Sequence, residues 1–361
     1  MDKYLSSYIF TPGPVRMYES TLKIGSIQTP YFRNEQFSNI LLNCEKNLLQ
    51  IANAPKDSRV VFLTASGTAA MEATVANLLD KKEDKAIVIN GGGFGKRFLD
   101  IVELNSIASY DHKVDIEDNL SNCKDLESYK GATALLVNAH ETTIGKLYDL
   151  QAIGEFTKEN NILNIVDAIS MFITDEIDMI KFNIDALIIS SHKGLALPPG
   201  LSMVILTPKA IEKLKDTKLL YFDFKSYLLD GQRGQTPFTP AVTIVLQLED
   251  MTNKIIQNGI DKTIYNYKQL SKYFRENIKD LPLKPYTNYM PNAMTTLSIT
   301  NGKTANIVVK ELYELYNIVV TPNGGDLKEK IFRISHMGYM TKEYIDILID
   351  SLYDYYNIKR R

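Results

Sequence analysis

Apolar residues recur along the first two-thirds of this chain in two alternating rhythms. Over residues 34–51, Phe37, Ile40, Leu41, Cys44, Leu48 and Ile51 fall at helical spacing and predict one buried face of a helix. Short unbroken apolar runs predict buried strands at 59–63, 85–90, 132–138, 162–166, 185–189 and 203–206. Helical patterns lie between them, including an Ala-, Met- and Leu-rich stretch through 79 and another at 150–160. Strands alternating with helices predict an α/β fold on a mostly parallel, doubly wound sheet. The run at 203–206 is expected to pair antiparallel, because only a tight turn separates it from the strand before.

The pattern changes after Gly231, where a polar loop punctuated by Pro237 and Pro240 begins. A long helical region follows at 242–278, with a break expected at Asn258-Gly259. Strands are then predicted at 294–299, 318–321 and 331–335 around a helix at 305–316, with a last helix from Thr341 onward. The organisation expected is an N-terminal arm over 1–20, a large domain over 21–250 and a smaller α+β domain over 251–361. Pro12 and Pro14, flanking Gly13, make the arm a rigid extended segment.

Composition narrows the function classes. The 361 residues are 45% hydrophobic and 23% charged, enough for one large core and a second, smaller one. A net charge of −2 with mixed signs leaves no basic face for nucleic acid or an anionic membrane. No apolar run reaches the roughly 20 residues that span a bilayer. Met1-Asp2-Lys3-Tyr4 opens without the apolar stretch of a leader, and Lys359-Arg360-Arg361 reads as a solvated basic end. Cys44 and Cys123 form no CxxC pair and no zinc-like cluster, so small buried residues in a cytoplasmic protein are expected, with no metal site.

Lys193 is the residue that points to chemistry. It lies in Ser190-Ser191-His192-Lys193-Gly194, just past the apolar run at 185–189 and before a turn with Pro198-Pro199-Gly200. An amine at the carboxyl end of a buried strand stands where α/β proteins build active sites, and its burial calls for a charge partner or a reaction such as Schiff-base formation. Asp167 ends another predicted strand and could face the same ligand, keeping a pyridine nitrogen protonated; it could equally cap a helix. Ser66-Gly67-Thr68 precedes a helix and suits either a phosphate or plain capping.

Other residues carry the same double reading. Phe94, in Gly91-Gly92-Gly93-Phe94-Gly95, could stack on a planar cofactor or pack in the core. This turn lacks the GxGxxG spacing of a dinucleotide loop. Thr142, in His140-Glu141-Thr142-Thr143-Ile144-Gly145, could bond a phenolic oxygen or simply line a polar turn. Arg333, within Phe332-Arg333-Ile334-Ser335-His336-Met337-Gly338, suits bidentate capture of a carboxylate or phosphonate, or a surface ion pair.

Taken in chain order, these residues resemble the class V aminotransferase family of fold-type I pyridoxal-phosphate enzymes. The motifs are Thr11-Pro12-Gly13-Pro14, Ser66-Gly67-Thr68-Ala69-Ala70-Met71-Glu72-Ala73, Gly93-Phe94-Gly95-Lys96-Arg97, Glu141-Thr142-Thr143-Ile144-Gly145, Val166-Asp167-Ala168-Ile169-Ser170, Ser191-His192-Lys193 and Arg333-Ile334-Ser335-His336-Met337-Gly338. They span nearly the whole chain. The family includes alanine–glyoxylate and serine–glyoxylate aminotransferases and 2-aminoethylphosphonate–pyruvate transaminase.

The resemblance implies a large domain with a mostly parallel sheet of the seven-stranded type and a smaller C-terminal α+β domain. It implies that pyridoxal 5′-phosphate forms an internal aldimine with Lys193, which then shuttles a proton. Asp167 would pair with the pyridine nitrogen, Phe94 would stack on the ring, and Thr142 would approach the phenolic oxygen. Ser66, Gly67, Thr68 and His192 would hold the phosphate. Thr239 and Thr236 would reach the phosphate of a neighbouring subunit, making a homodimer with shared sites. Arg333 would bind the substrate carboxylate, and the backbone near Gly13 would close over the substrate.

The chain departs from the family pattern at two places. Ala139 stands where many members carry the histidine of an HxE motif, so His140 has no assigned role, and His192 stands where Gln is common. The expected activity is transfer of an amino group from an alanine- or serine-type donor to pyruvate or glyoxylate. The alternative is 2-aminoethylphosphonate with pyruvate, which extra cations in the pocket, with Arg16 and Arg33 as candidates, would favour. Cysteine desulfuration is disfavoured for want of a loop cysteine. A non-enzymatic scaffold is disfavoured because Lys193, Asp167 and Arg333 are all present, and a nucleotide-binding oxidoreductase for want of the fingerprint.

Overall fold

Continuous apolar runs form strands covered on both faces, and seven segments pair into one sheet in the computed structural model, which describes residues 5–360. The opening four residues, on which the expectation of no leader rests, and Arg361 of the basic end lie outside the described residues. The strands are β1 (Arg59–Leu63), β2 (Lys85–Asn90), β3 (Ala108–Lys113), β4 (Ala134–Asn138), β5 (Leu163–Asp167), β6 (Ala186–Ser190) and β7 (Ser202–Leu206). Their spatial order is β1-β7-β6-β5-β4-β2-β3. The neighbours from β6 to β3 are parallel, and β7 runs antiparallel to both β6 and β1.

Alternation along each strand feeds two separate cores. Ile87 and Ile89, Leu135 and Val137, and Leu187 and Ile189 pack under the helices Glu35–Ile51 and Val242–Asn258. Val88, Leu136 and Ile188 point the other way, onto Met71 and Val75 of helix Gly67–Leu78 and Phe98 and Val102 of helix Gly93–Leu104. Edge strand β3 has no such apolar pattern: Ala108, Asp111, His112 and Lys113 alternate between exposed and half-buried positions. Helices Glu19–Gly25 and Phe224–Gly231 also went without a sequence signal.

A third core gathers Phe274, Leu297, Val308, Leu312, Phe332, Ile334 and Leu348. It fills the space between helices Ala305–Tyr316 and Lys342–Tyr355 and a four-stranded antiparallel sheet. The expected helix break falls at Gly259, whose φ of 86° ends helix Val242–Asn258 before Ile260–Asn277. The N-terminal arm belongs to this core. Tyr8–Ile9 pairs in parallel with Ile318–Val319, Phe10 is fully buried, and the Phe10 and Arg16 carbonyls accept from the Ser335 and Tyr339 amides.

Among the described residues, no helix is long and apolar enough to cross a membrane, and no His/Cys/Asp/Glu group could hold a metal ion.

Candidate active site

Parallel strands place their carboxyl ends along one edge of the sheet, and β5 and β6 are neighbours there. β5 ends at Asp167, which is level with Ile188 of β6; the chain then turns after Ser190 and presents His192 and Lys193. The turn is fitted tightly against the segment after β5. A Cβ on Gly194 would lie 2.4 Å from the Phe172 carbonyl oxygen, so only glycine allows this approach. Lys193 Nζ donates a 2.6 Å hydrogen bond to the Pro12 carbonyl of the arm. Gly13, with a φ of 140°, lies over the lysine side chain.

Burial and charge set the protonation of both groups. Desolvation lowers the Lys193 amine to about 8, Asp167 opposes that shift, and Arg333 and Arg97 add to it. Desolvation raises the Asp167 carboxyl to about 7, against the pull of an Ile169 amide bond and of Lys193. A mostly buried carboxylate that forms no ion pair among the described residues suits a cationic ring nitrogen, and an amine whose neutral form is reached more easily than in free lysine suits attack on an aldehyde.

Around this pair stand the other predicted residues. Ser66 caps helix Gly67–Leu78, its hydroxyl accepting from the Ala69 amide, and Thr68 lies in the first turn. The start of that helix packs against the same edge of the sheet: a Cβ on Gly67 would meet Ile169 and Ser190, and a helix N-terminus carries unpaired amides suited to an anion. His192 Nδ1 lies 3.1 Å from Ser190 Oγ, and burial lowers the imidazole to about 4 with help from Lys193. It is neutral at pH 7 and offers hydrogen bonding without charge. Phe94 is half-buried in the first turn of helix Gly93–Leu104, which starts inside the glycine turn.

Thr142 is buried, with its hydroxyl 3.0 Å from Ser170 Oγ. Arg333 reaches it from the third core, donating to the Thr142 carbonyl at 3.4 Å and to the Pro322 carbonyl at 2.8 Å. Its Nε–H is buried without a partner. Two threonines lie apart from this cluster on the loop after Gly231. Thr236 is buried and its hydroxyl donates to the Phe238 carbonyl, while Thr239 is exposed beside Thr29, Pro30 and Tyr31.

Three further contributors were not assigned from sequence. Glu141 is fully buried and its carboxylate accepts from the amides of Phe94, Gly95 and Thr143 and from Asn138 Nδ2. It caps a helix whose own N-cap, Gly92, has no side chain to do so. An acidic residue directly after a buried strand was the available signal. His140 is buried and lowered to about 3, first by burial; its neutral Nδ1–H donates to the Ser170 carbonyl, which leaves Nε2 an unpartnered acceptor. Arg97 lies over Phe94 and bonds Thr68.

The chain is similar to known proteins over most of its length. The Aminotransferase class-V family model matches residues 25–348. An uncharacterized aminotransferase of Methanocaldococcus jannaschii is 29% identical over 343 residues, 91% of this chain and 87% of that protein. The L-aspartate–glyoxylate aminotransferase of Paracoccus denitrificans is 24% identical, over 92% of this chain and 87% of that one. Among solved structures, a subgroup IV aspartate aminotransferase from Thermus thermophilus matches with a TM-score of 0.89 at 26% identity, over 96% and 99% of the two chains. A family model matched over most of its length shows that the chain belongs to the class-V aminotransferases, pyridoxal-phosphate-dependent transaminases of fold type I.

Proposed function

We propose that this transaminase moves the amino group of a small monocarboxylate amino acid, of the alanine or serine kind, to pyruvate or glyoxylate. One observation carries the reading. Of the two guanidinium charges felt by Lys193, Arg97 is engaged with Thr68 and Phe94, and Arg333 has an unpartnered Nε–H. One such arginine matches one carboxylate. The two further cations that would have favoured a phosphonate are engaged elsewhere. Arg16 donates to the Tyr339 carbonyl and lies over the Tyr339 and Tyr344 rings, and Arg33 bonds Gln235 and the Thr236 and Pro237 carbonyls.

The cofactor, when bound, supplies an electron sink for the carbanion formed at the substrate Cα. This chain's residues do the rest. Lys193 would hold the cofactor's aldehyde carbon through its amine and would accept the proton from the donor's Cα. Asp167 would keep the proton on the ring nitrogen, Phe94 would stack on the ring, and Thr142 would hydrogen-bond the phenolic oxygen. Ser66, Gly67, Thr68 and the neutral His192 hold the phosphate. Arg333 orients the carboxylate, and the Gly13 backbone closes the site from solvent.

Thr239, exposed on its loop, would reach the phosphate of a second copy in a homodimer with shared sites. Thr236 contributes less directly, since its proton goes to Phe238. The cytoplasm is the proposed setting, with two thiols that are free and raised by burial.

A donor panel tests the assignment. Stoichiometric enzyme is mixed with alanine, serine, aspartate or 2-aminoethylphosphonate, and loss of the visible band is followed. Bleaching by alanine or serine at the lowest concentrations supports the proposal. Bleaching by aspartate alone, the donor named for the Paracoccus relative, or by the phosphonate alone overturns it.

A further inference from the structure

Arg97 lies three residues after Phe94 on helix Gly93–Leu104, so the two side chains share a face. Its guanidinium carbon sits 4.6 Å from the centre of the Phe94 ring. That cation–π contact occupies one face of the ring and leaves the other for a planar ligand. The same guanidinium donates from Nη1 to Thr68 Oγ1 at 3.0 Å. A threonine hydroxyl has one proton and two lone pairs, and with a lone pair engaged by arginine its proton is free to be donated outward.

The charge of Arg97 is also unbalanced. Arg97 has no ion pair among the described residues, a state it shares with Arg16, Arg33, Arg275 and Arg333, while Arg59, Arg233 and Arg360 each pair with a carboxylate. Its field reaches Asp167 and Lys193, lowering the proton affinity of both. A half-buried cation without a counter-charge, bonded to the first turn of helix Gly67–Leu78, is complementary to an anion bound at that turn.

We propose that Arg97 is a positioning residue that couples the two grips on the cofactor, fixing the Phe94 ring for stacking and aiming the Thr68 hydroxyl at the phosphate. The inference rests on the proposed roles of Phe94 and of Ser66 to Thr68. It assigns Arg97 no contact with the reacting carbon. Its effect passes through the two side chains it touches and through its charge.

The test measures binding of pyridoxal phosphate and of pyridoxal, which lacks the phosphate, to wild-type, Arg97→Met and Arg97→Lys proteins. Cofactor is first removed and then titrated back, with the visible absorbance and visible circular dichroism recorded. The preference for the phosphorylated ligand falls about tenfold or more in Arg97→Met, as loss of the nearby positive charge and of the aimed Thr68 hydroxyl requires. In Arg97→Lys the preference returns because the charge is kept. The visible circular dichroism stays altered, because an ammonium lacks the plane that holds the ring. An unchanged preference in Arg97→Met overturns the proposal. So does equal weakening of both ligands with a lowered melting temperature, which marks a purely structural role. Failure of the wild-type protein to take up pyridoxal phosphate at all would remove the underlying site reading as well, and is thereby distinguished from failure of Arg97 alone.

Discussion

Asp167 closes one strand and Lys193 stands just past the end of its parallel neighbour, and burial opposes the charge of both while each charge partly restrains the other's shift. The amine is lowered from its usual 10.5 to about 8, so its reactive neutral form grows as pH rises through about 8. Capture of added pyridoxal phosphate by cofactor-free protein is therefore expected to accelerate between pH 7 and 9 and then level off. The growth rate of the visible band against pH checks this. Continued acceleration toward 10.5 would show an unperturbed lysine.

The Asp167 carboxyl gives a stability prediction of definite sign. Its folded value, about 7, lies above the ordinary carboxyl value of 3.8, so the folded state binds the proton more tightly. That contribution is complete below about 4 and lost as pH rises through about 7. Between pH 5 and 8 the cofactor-free wild-type protein should lose about 2–3 kcal/mol relative to Asp167→Asn. Urea unfolding of both proteins at the two pH values measures the difference.

Glu141 should be costly to remove. Glu141→Ala leaves one buried and two part-buried amides, and the buried Asn138 Nδ2, without their acceptor, which predicts a loss of about 2–4 kcal/mol in unfolding free energy. Glu141→Gln keeps one acceptor oxygen and is expected to fall between. Equal stability of Glu141→Ala and wild type in urea would rule out the capping role.

Gly13 tests the contact between the arm and the lysine. A Cβ there would lie 2.7–2.8 Å from Cδ, Cε and Nζ of Lys193, and a φ of 140° disfavours any side chain. Gly13→Ala is expected to lower kcat at least about tenfold, in line with the sensitivity of catalysis to small misplacements. The melting temperature is expected to move little, because the arm stays fastened through Tyr8–Ile9 and Phe10. An unchanged kcat contradicts the contact.

Arg333 is assigned to the substrate rather than to the cofactor. Arg333→Gln should raise KM for a carboxylate donor by about 100-fold while leaving cofactor affinity within about threefold. Steady-state kinetics beside a cofactor titration separates the two effects. Weakened cofactor binding with an unchanged KM would reassign the residue.

The sheet was legible in the sequence because strands buried on both faces read as unbroken apolar runs that end in polar residues, and Asp167 and Lys193 are such endings. β3 was not legible, since an edge strand with exposed and half-buried positions carries no such run. Helix Phe224–Gly231 buries only Phe224 and Tyr227 and offers too little periodicity. Glu141 and Arg97 carry no local signal of their roles, because what they do depends on groups distant in the chain. Glu141 serves amides 46 and 47 residues earlier, and Arg97 serves a hydroxyl 29 residues earlier. His140 remained unassigned for the same reason: its partner is the Ser170 carbonyl, 30 residues on.

The central claim is that Lys193 carries the cofactor. Borohydride reduction of the protein loaded with pyridoxal phosphate, followed by peptide mass spectrometry, tests it directly. The account predicts one pyridoxyl modification, on the peptide containing Lys193, with loss of the visible band, and none in Lys193→Ala. Modification of a different lysine, or an undiminished yield in Lys193→Ala, would contradict it.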